Sequence, residues 1–156
     1  MQLQASSRDC FVCGVQNPAG LHIRFYTVEP GQVQAEFTPP QHFQGYPGIL
    51  HGGIIATLLD ETAGRAYLDD PNQPRFMYTA RLTIQYRRPA PVGQPLKLHG
   101  RTLQSKGRTA TAQATLHDAE GNLLAEAEAL LVDVPPETLG NVNLEELGWR
   151  VYADSN

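Results

Sequence analysis

The chain has 156 residues, a formal net charge of −4 and only two cysteines, Cys10 and Cys13. That length fits one domain able to bury a core without disulfide or metal staples. The acidic balance argues against a nucleic-acid surface. No apolar run approaches a membrane span, and the polar residues 1–9 do not read as a signal peptide. The expectation is a cytoplasmic protein with no nucleic-acid or membrane partner.

Cys10-Phe-Val-Cys13 comes first in the chain. A structural zinc site wants four ligands, and there is no second cysteine pair; His22 and His42 would complete one only by chance. The pair therefore reads as loop packing, with no metal and no cofactor expected. Leu21, Ile23 and Phe25 alternate with polar residues and predict a strand; Val33, Ala35 and Phe37 predict a second after the Glu29-Pro30-Gly31 turn.

Residues 53 to about 67 predict the one long helix. Ile55, Leu58, Leu59, Thr62 and Ala66 form its apolar stripe. A second stripe, Gly53, Ala56, Thr57, Asp60 and Gly64, is small apart from its acid. Two glycines in or near a helix cost about 1 kcal/mol each against alanine, so something should press on that face. Glu61 and Arg65 are spaced i, i+4 as a surface ion pair.

Four strands follow. Ala80, Leu82, Ile84 and Tyr86 mark the first, ended by a turn at Pro89-Ala-Pro91-Val-Gly93. Residues 96–104 form the next, with a hairpin at Ser105-Lys106-Gly107. Ala110, Ala112, Ala114 and Leu116 belong to the third, and Ala125, Ala127, Ala129 and Leu131 to the fourth. Tight turns predict that the last four strands are antiparallel neighbours. One helix cannot cover both faces of such a sheet, so the simplest α+β solution wraps the sheet around it, and the inward alanines allow close approach. Residues 1–134 make this domain. A polar tail, 135–156, holds one short helix near 144–150. The uncovered sheet surface and edge predict self-association.

His51-Gly52-Gly53 opens the helix, where unpaired N–H groups and partial positive charge can hold a carbonyl oxygen as it becomes an oxyanion. Gly53 and Asp60 lie seven residues apart, roughly 10 Å along the axis. A substrate or a second subunit must bridge that gap.

The stretch Phe43-Gln-Gly-Tyr-Pro-Gly-Ile-Leu-His-Gly-Gly-Ile-Ile-Ala-Thr-Leu-Leu-Asp60 resembles the active-site motif of the PaaI-type hotdog thioesterases. Thr79-Ala-Arg-Leu-Thr-Ile-Gln-Tyr-Arg-Arg-Pro89 and the opening Cys10-Phe-Val-Cys-Gly14 with Asn17-Pro-Ala-Gly-Leu21 also match, so the resemblance spans residues 10 to 132. It implies a hotdog fold, an antiparallel sheet wrapped around one long central helix. It also implies a homodimer, or a dimer-of-dimers tetramer, with active sites shared across the interface. The implied reaction is metal-free hydrolysis of an acyl-CoA. By position, Gly52 matches the residue whose N–H polarises the thioester carbonyl. Asp60 matches the acid that acts as nucleophile or as general base on water. Thr79 matches the residue that orients the water or the acid. His51 and Gln44 match polar groups around the thioester, and Gly53 would also face substrate.

Thr79 shares parity with Arg81 and Thr83, opposite to Ala80, Leu82 and Ile84; a bulge, or a site lying outside the core face, would reconcile this. CoA is anionic, and Arg87, Arg88, Lys106 and Arg108 are the densest basic groups, candidates for its phosphates. Two rival readings remain open. His42-Phe43-Gln-Gly-Tyr-Pro-Gly partly resembles the histidine motif of β-hydroxyacyl thioester dehydratases on the same fold. A noncatalytic acyl-CoA-binding module is the other.

Overall fold

In the computed structural model, which describes residues 1–153, the strand order is β1-β2-β3-β5-β6-β7-β4, every pair antiparallel. The strands are β1 (Gln2–Leu3), β2 (Phe25–Glu29), β3 (Gln32–Phe37), β4 (Met77–Tyr86), β5 (Leu96–Lys106), β6 (Thr109–His117) and β7 (Leu123–Asp133). The long helix α1 (Gly52–Arg65) packs against the concave face of β3 to β7. This is the hotdog architecture.

The expected apolar stripe is the contact surface: Ile55, Leu58, Leu59, Thr62 and Ala66 are all buried. Opposite them lie the alternating alanines of β6 and β7, also buried. How close sheet and helix come is visible at Gly100. A Cβ there would stand 2.5 Å from the backbone oxygen of Thr62 and 2.8 Å from a Val33 methyl.

Three expectations need correction. Residues 21–24 alternate in burial as predicted, yet they form no ladder. Leu21 and Ile23 instead donate their N–H groups to the carbonyls of Phe11 and Val12, and His22 adopts a φ of 55°. Nor is β4 a neighbour of β5. It pairs with β7, setting Leu82 and Ile84 beside Ala129 and Ala127, so large inward side chains sit next to small ones where the sheet closes over the helix. The Pro89–Gly93 stretch is therefore a crossover: Ala90 is buried, and its carbonyl accepts from Leu50 N–H at 2.8 Å. The short tail helix is α2 (Pro136–Gly140), whereas residues 144–148 are turns. Arg150 then pairs with Ser6, and Trp149 stacks edge-on against Phe76. Among the described residues, no helix is long and apolar enough to cross a membrane.

Candidate active site

The loop into α1 is a closed hairpin. Gly45 N–H donates to Ile49 O and His51 N–H to Phe43 O, while the side-chain oxygen of Gln44 accepts from Gly48 N–H and from Gln41. His51 caps the helix, its Nδ1 accepting from Gly53 N–H at 2.8 Å. With Nδ1 accepting, a neutral ring carries its proton on Nε2. Gly53 N–H is thus already engaged, and Gly52 supplies the first N–H at the helix head. Tyr86 holds that residue from the other side. Its hydroxyl donates to Gly52 O at 2.9 Å, and its ring stands 3.6 Å from where a Gly52 Cβ would be. Tyr86, on the alternating strand set with Leu82 and Ile84, is 54% exposed beside the helix head.

Two turns further along α1 stands Asp60, half-buried, accepting a 2.6 Å hydrogen bond from the Thr79 hydroxyl. The parity conflict at Thr79 resolves in β4 itself. Thr79 pairs with Leu131 and Arg81 with Leu130, so Ala80 is an extra residue in a bulge. Because Leu131 shares the inner face with Ala129 and Ala127, the bulge turns Thr79 toward the helix. Asp60 and Thr79 line a cavity of about 390 Å³ together with Glu61, Gly64, Leu68 and Met77.

The basic residues separate into two groups. Arg87 and Arg88 line an open groove beside Gly52, and Arg87 also bonds Glu126 at 3.3 Å. Lys106 and Arg108 lie on the β5–β6 hairpin, which is tied by Gly107 O to Arg75. Arg75 lines the Asp60 cavity, so the hairpin belongs to that end of the molecule. Gly52 and Asp60 are eight positions apart, about 12 Å along the helix. The helix head and the Asp60 carboxylate thus lie well apart along α1. His42 lies exposed on a short 3-10 turn with its ring against Phe43.

The Glu61–Arg65 pair forms at 2.8 Å, but it is no surface pair. Arg65 is 2% exposed, covered by Phe25 and Trp149 rings at 5.0 and 5.5 Å, and it donates to Ala5 O. Helical spacing gave the partner, but the cover comes from both ends of the chain. Burial alone would lower the Arg65 pKa; the Glu61 charge and hydrogen bond, with Cys13 and Cys10, together outweigh that and raise it. Cys10 and Cys13 lie against the same group. A Cys13 hydrogen bond, opposed by burial, draws the Cys10 thiol down to about 6, while that shared bond and burial push Cys13 up.

Comparison with known proteins agrees with this fold. The model of the thioesterase superfamily matches residues 47–125, which is 79 of the 156 residues and runs from the loop before Gly52 through most of the sheet. The chain belongs to the thioesterase superfamily. Acyl-coenzyme A thioesterase THEM4 of Rattus norvegicus is 28% identical over 136 residues, covering 86% of this chain and 57% of that protein. The chain thus spans little more than half the length of this relative. A crystallised thioesterase superfamily protein superimposes with a TM-score of 0.72 at 30% identity, over 80% of this chain and 63% of the other. The E. coli PaaI protein shares the fold, with a TM-score of 0.67 at 16% identity over 74% and 81% of the two chains.

Proposed function

We propose that this superfamily member hydrolyses an acyl-CoA to a carboxylic acid and CoA, as a homodimer or a dimer of dimers. The observation that carries the reading is the Thr79–Asp60 hydrogen bond, which holds a carboxylate in the wall of a cavity. In each site, Gly52 N–H from one subunit binds the thioester carbonyl oxygen, and Asp60 from the other approaches its carbon. Two features support a shared site. The distance between Gly52 and Asp60 on one helix is too long for a single carbonyl. In addition, β4 is a ten-residue edge strand, and such an edge invites pairing.

Asp60 acts in one of two ways. It takes a proton from water as the water oxygen adds to the carbonyl carbon. Alternatively, it adds directly, and water then cleaves the mixed anhydride. In both, the C–S bond breaks, sulfur leaves as the CoA thiolate, and the acyl carbon keeps the new oxygen. Gln44 and His51 shape the helix-head loop that presents Gly52. Lys106 and Arg108 hold the nucleotide, with Arg87 and Arg88 beside the carbonyl end. The free thiols of Cys10 and Cys13 fit a reducing, cytoplasmic setting.

The test is a panel of acyl-CoA substrates from acetyl to palmitoyl, with aromatic acyl groups, read by thiol release with a disulfide dye. Release on at least one substrate supports the reading. Loss of the conjugated absorbance of an enoyl thioester without thiol release would replace it with hydratase chemistry. Binding without either would leave a noncatalytic module.

A further inference from the structure

The Cys10–Cys13 loop is shaped well beyond what packing requires. Val12 and Cys13 point their N–H groups at the Cys10 sulfur, at 3.4 and 3.5 Å. Gly14 N–H closes the turn onto Cys10 O at 2.8 Å, and a Cβ at Gly14 would collide with Cys10 O at 2.3 Å. Leu21 and Ile23 pin the loop's backbone from outside. The third group arrives from α1: one carboxylate oxygen of Glu61 and the two sulfurs all lie within 4.8 Å of one another.

We propose that Cys10, Cys13 and Glu61 form a binding site for a thiophilic divalent cation of the zinc class, where the first loop meets α1. A tetrahedral zinc about 2.3 Å from sulfur holds its ligand atoms slightly under 4 Å apart. Closure on the ion thus asks the three atoms to move in by about 1 Å. The N–H groups of Val12 and Cys13 stabilise the Cys10 sulfur as a thiolate. Arg65 Nε donates to Glu61 Oε1 at 2.8 Å, which orients the carboxylate as an outer-shell partner would. Charge also balances. Two thiolates, one carboxylate and the Arg65 guanidinium sum to two negative charges, which one divalent ion cancels on replacing the two thiol protons. Cys10 and Glu61 are only half-buried, so water can reach the fourth position. A count of cysteines and histidines along the sequence cannot find this site, because its third ligand lies forty-eight residues beyond Cys13, on the helix.

The test uses the full chain, reduced and stripped with a chelator, with two free thiols confirmed by titration. Co²⁺ is then added as a spectroscopic stand-in for Zn²⁺. The expected result is a sulfur-to-cobalt charge-transfer band that saturates at one equivalent, is displaced by Zn²⁺, and disappears in Cys10→Ser and in Cys13→Ser. Outer-shell losses alone weaken metal binding by about 10–100-fold, so Glu61→Gln should weaken it by at least tenfold. Circular dichroism checks each variant, and Glu61→Gln with the wild-type titration decides the matter if a serine variant does not fold. Absence of the band with both thiols free, or an unchanged affinity in Glu61→Gln, overturns the site.

Discussion

Replacing Thr79 with alanine isolates the contact on which the proposed chemistry depends. The variant deletes one hydroxyl donating at 2.6 Å to Asp60 Oδ1 and leaves the β4 backbone as it is. A hydrogen bond to a charged group contributes about 1.5–3 kcal/mol. Thr79 is exposed in the single chain and Asp60 half-buried, so the lower part of that range applies, about 1.5–2 kcal/mol. At about 1.36 kcal/mol per tenfold, kcat should fall roughly 10- to 30-fold. KM should barely move, because Thr79 orients the carboxylate and does not grip CoA. Thr79→Ser keeps the hydroxyl and should recover most of the rate. Steady-state thiol release on the best acyl-CoA, with thermal melts to confirm folding, gives both numbers. Wild-type kcat in Thr79→Ala, or a serine variant as slow as the alanine one, would refute the positioning role.

Other expectations follow from the same coordinates. Gly100→Ala forces a methyl against Thr62 O at 2.5 Å and should destabilise the fold by about 1–3 kcal/mol or more, read as a lowered midpoint in urea. Burial, then His117 and Lys97, lowers the His99 pKa from 6.5. The unfolded chain therefore takes up that proton first, and the folded state loses stability as pH falls through about 6.5 toward the lower folded value. His99→Gln should flatten the loss of Tm between about pH 7 and pH 5; an identical slope would remove His99 as a source. Charge reversal at Lys106 and Arg108 should raise KM for acyl-CoA more than it lowers kcat, and an unchanged KM would exclude them from nucleotide binding.

The helix and its burial could be read directly from spacing, because one stripe of Ile55, Leu58, Leu59, Thr62 and Ala66 meets one concave sheet. Thr79 shows both the reach and the limit of alternation. Its parity conflicts with its neighbours, which signals a bulge or a site off the core face, but only the strand register places the bulge at Ala80. Strand adjacency was harder. Three prolines and a glycine between β4 and β5 imitate a hairpin, while the actual partner of β4 is set by fit between Leu82, Ile84 and the alanines of β7, more than forty residues along the chain. Long-range cover escaped the sequence for the same reason. Nothing local says that Trp149 and Phe25 will enclose Arg65, or that Glu61 will meet two cysteines of the first loop. The head of α1 gave partial information. His51-Gly52-Gly53 marked it, but only the geometry reveals that His51 occupies the Gly53 N–H, and that Tyr86 clasps Gly52.

The most direct test of the catalytic account is Asp60→Asn, which removes the charge and nearly preserves the shape. Acyl-CoA mixed with excess enzyme should be bound by the variant, yet release no CoA thiol within many wild-type turnover times, with the melting curve intact. Thiol release at the wild-type rate from that folded variant would contradict the account.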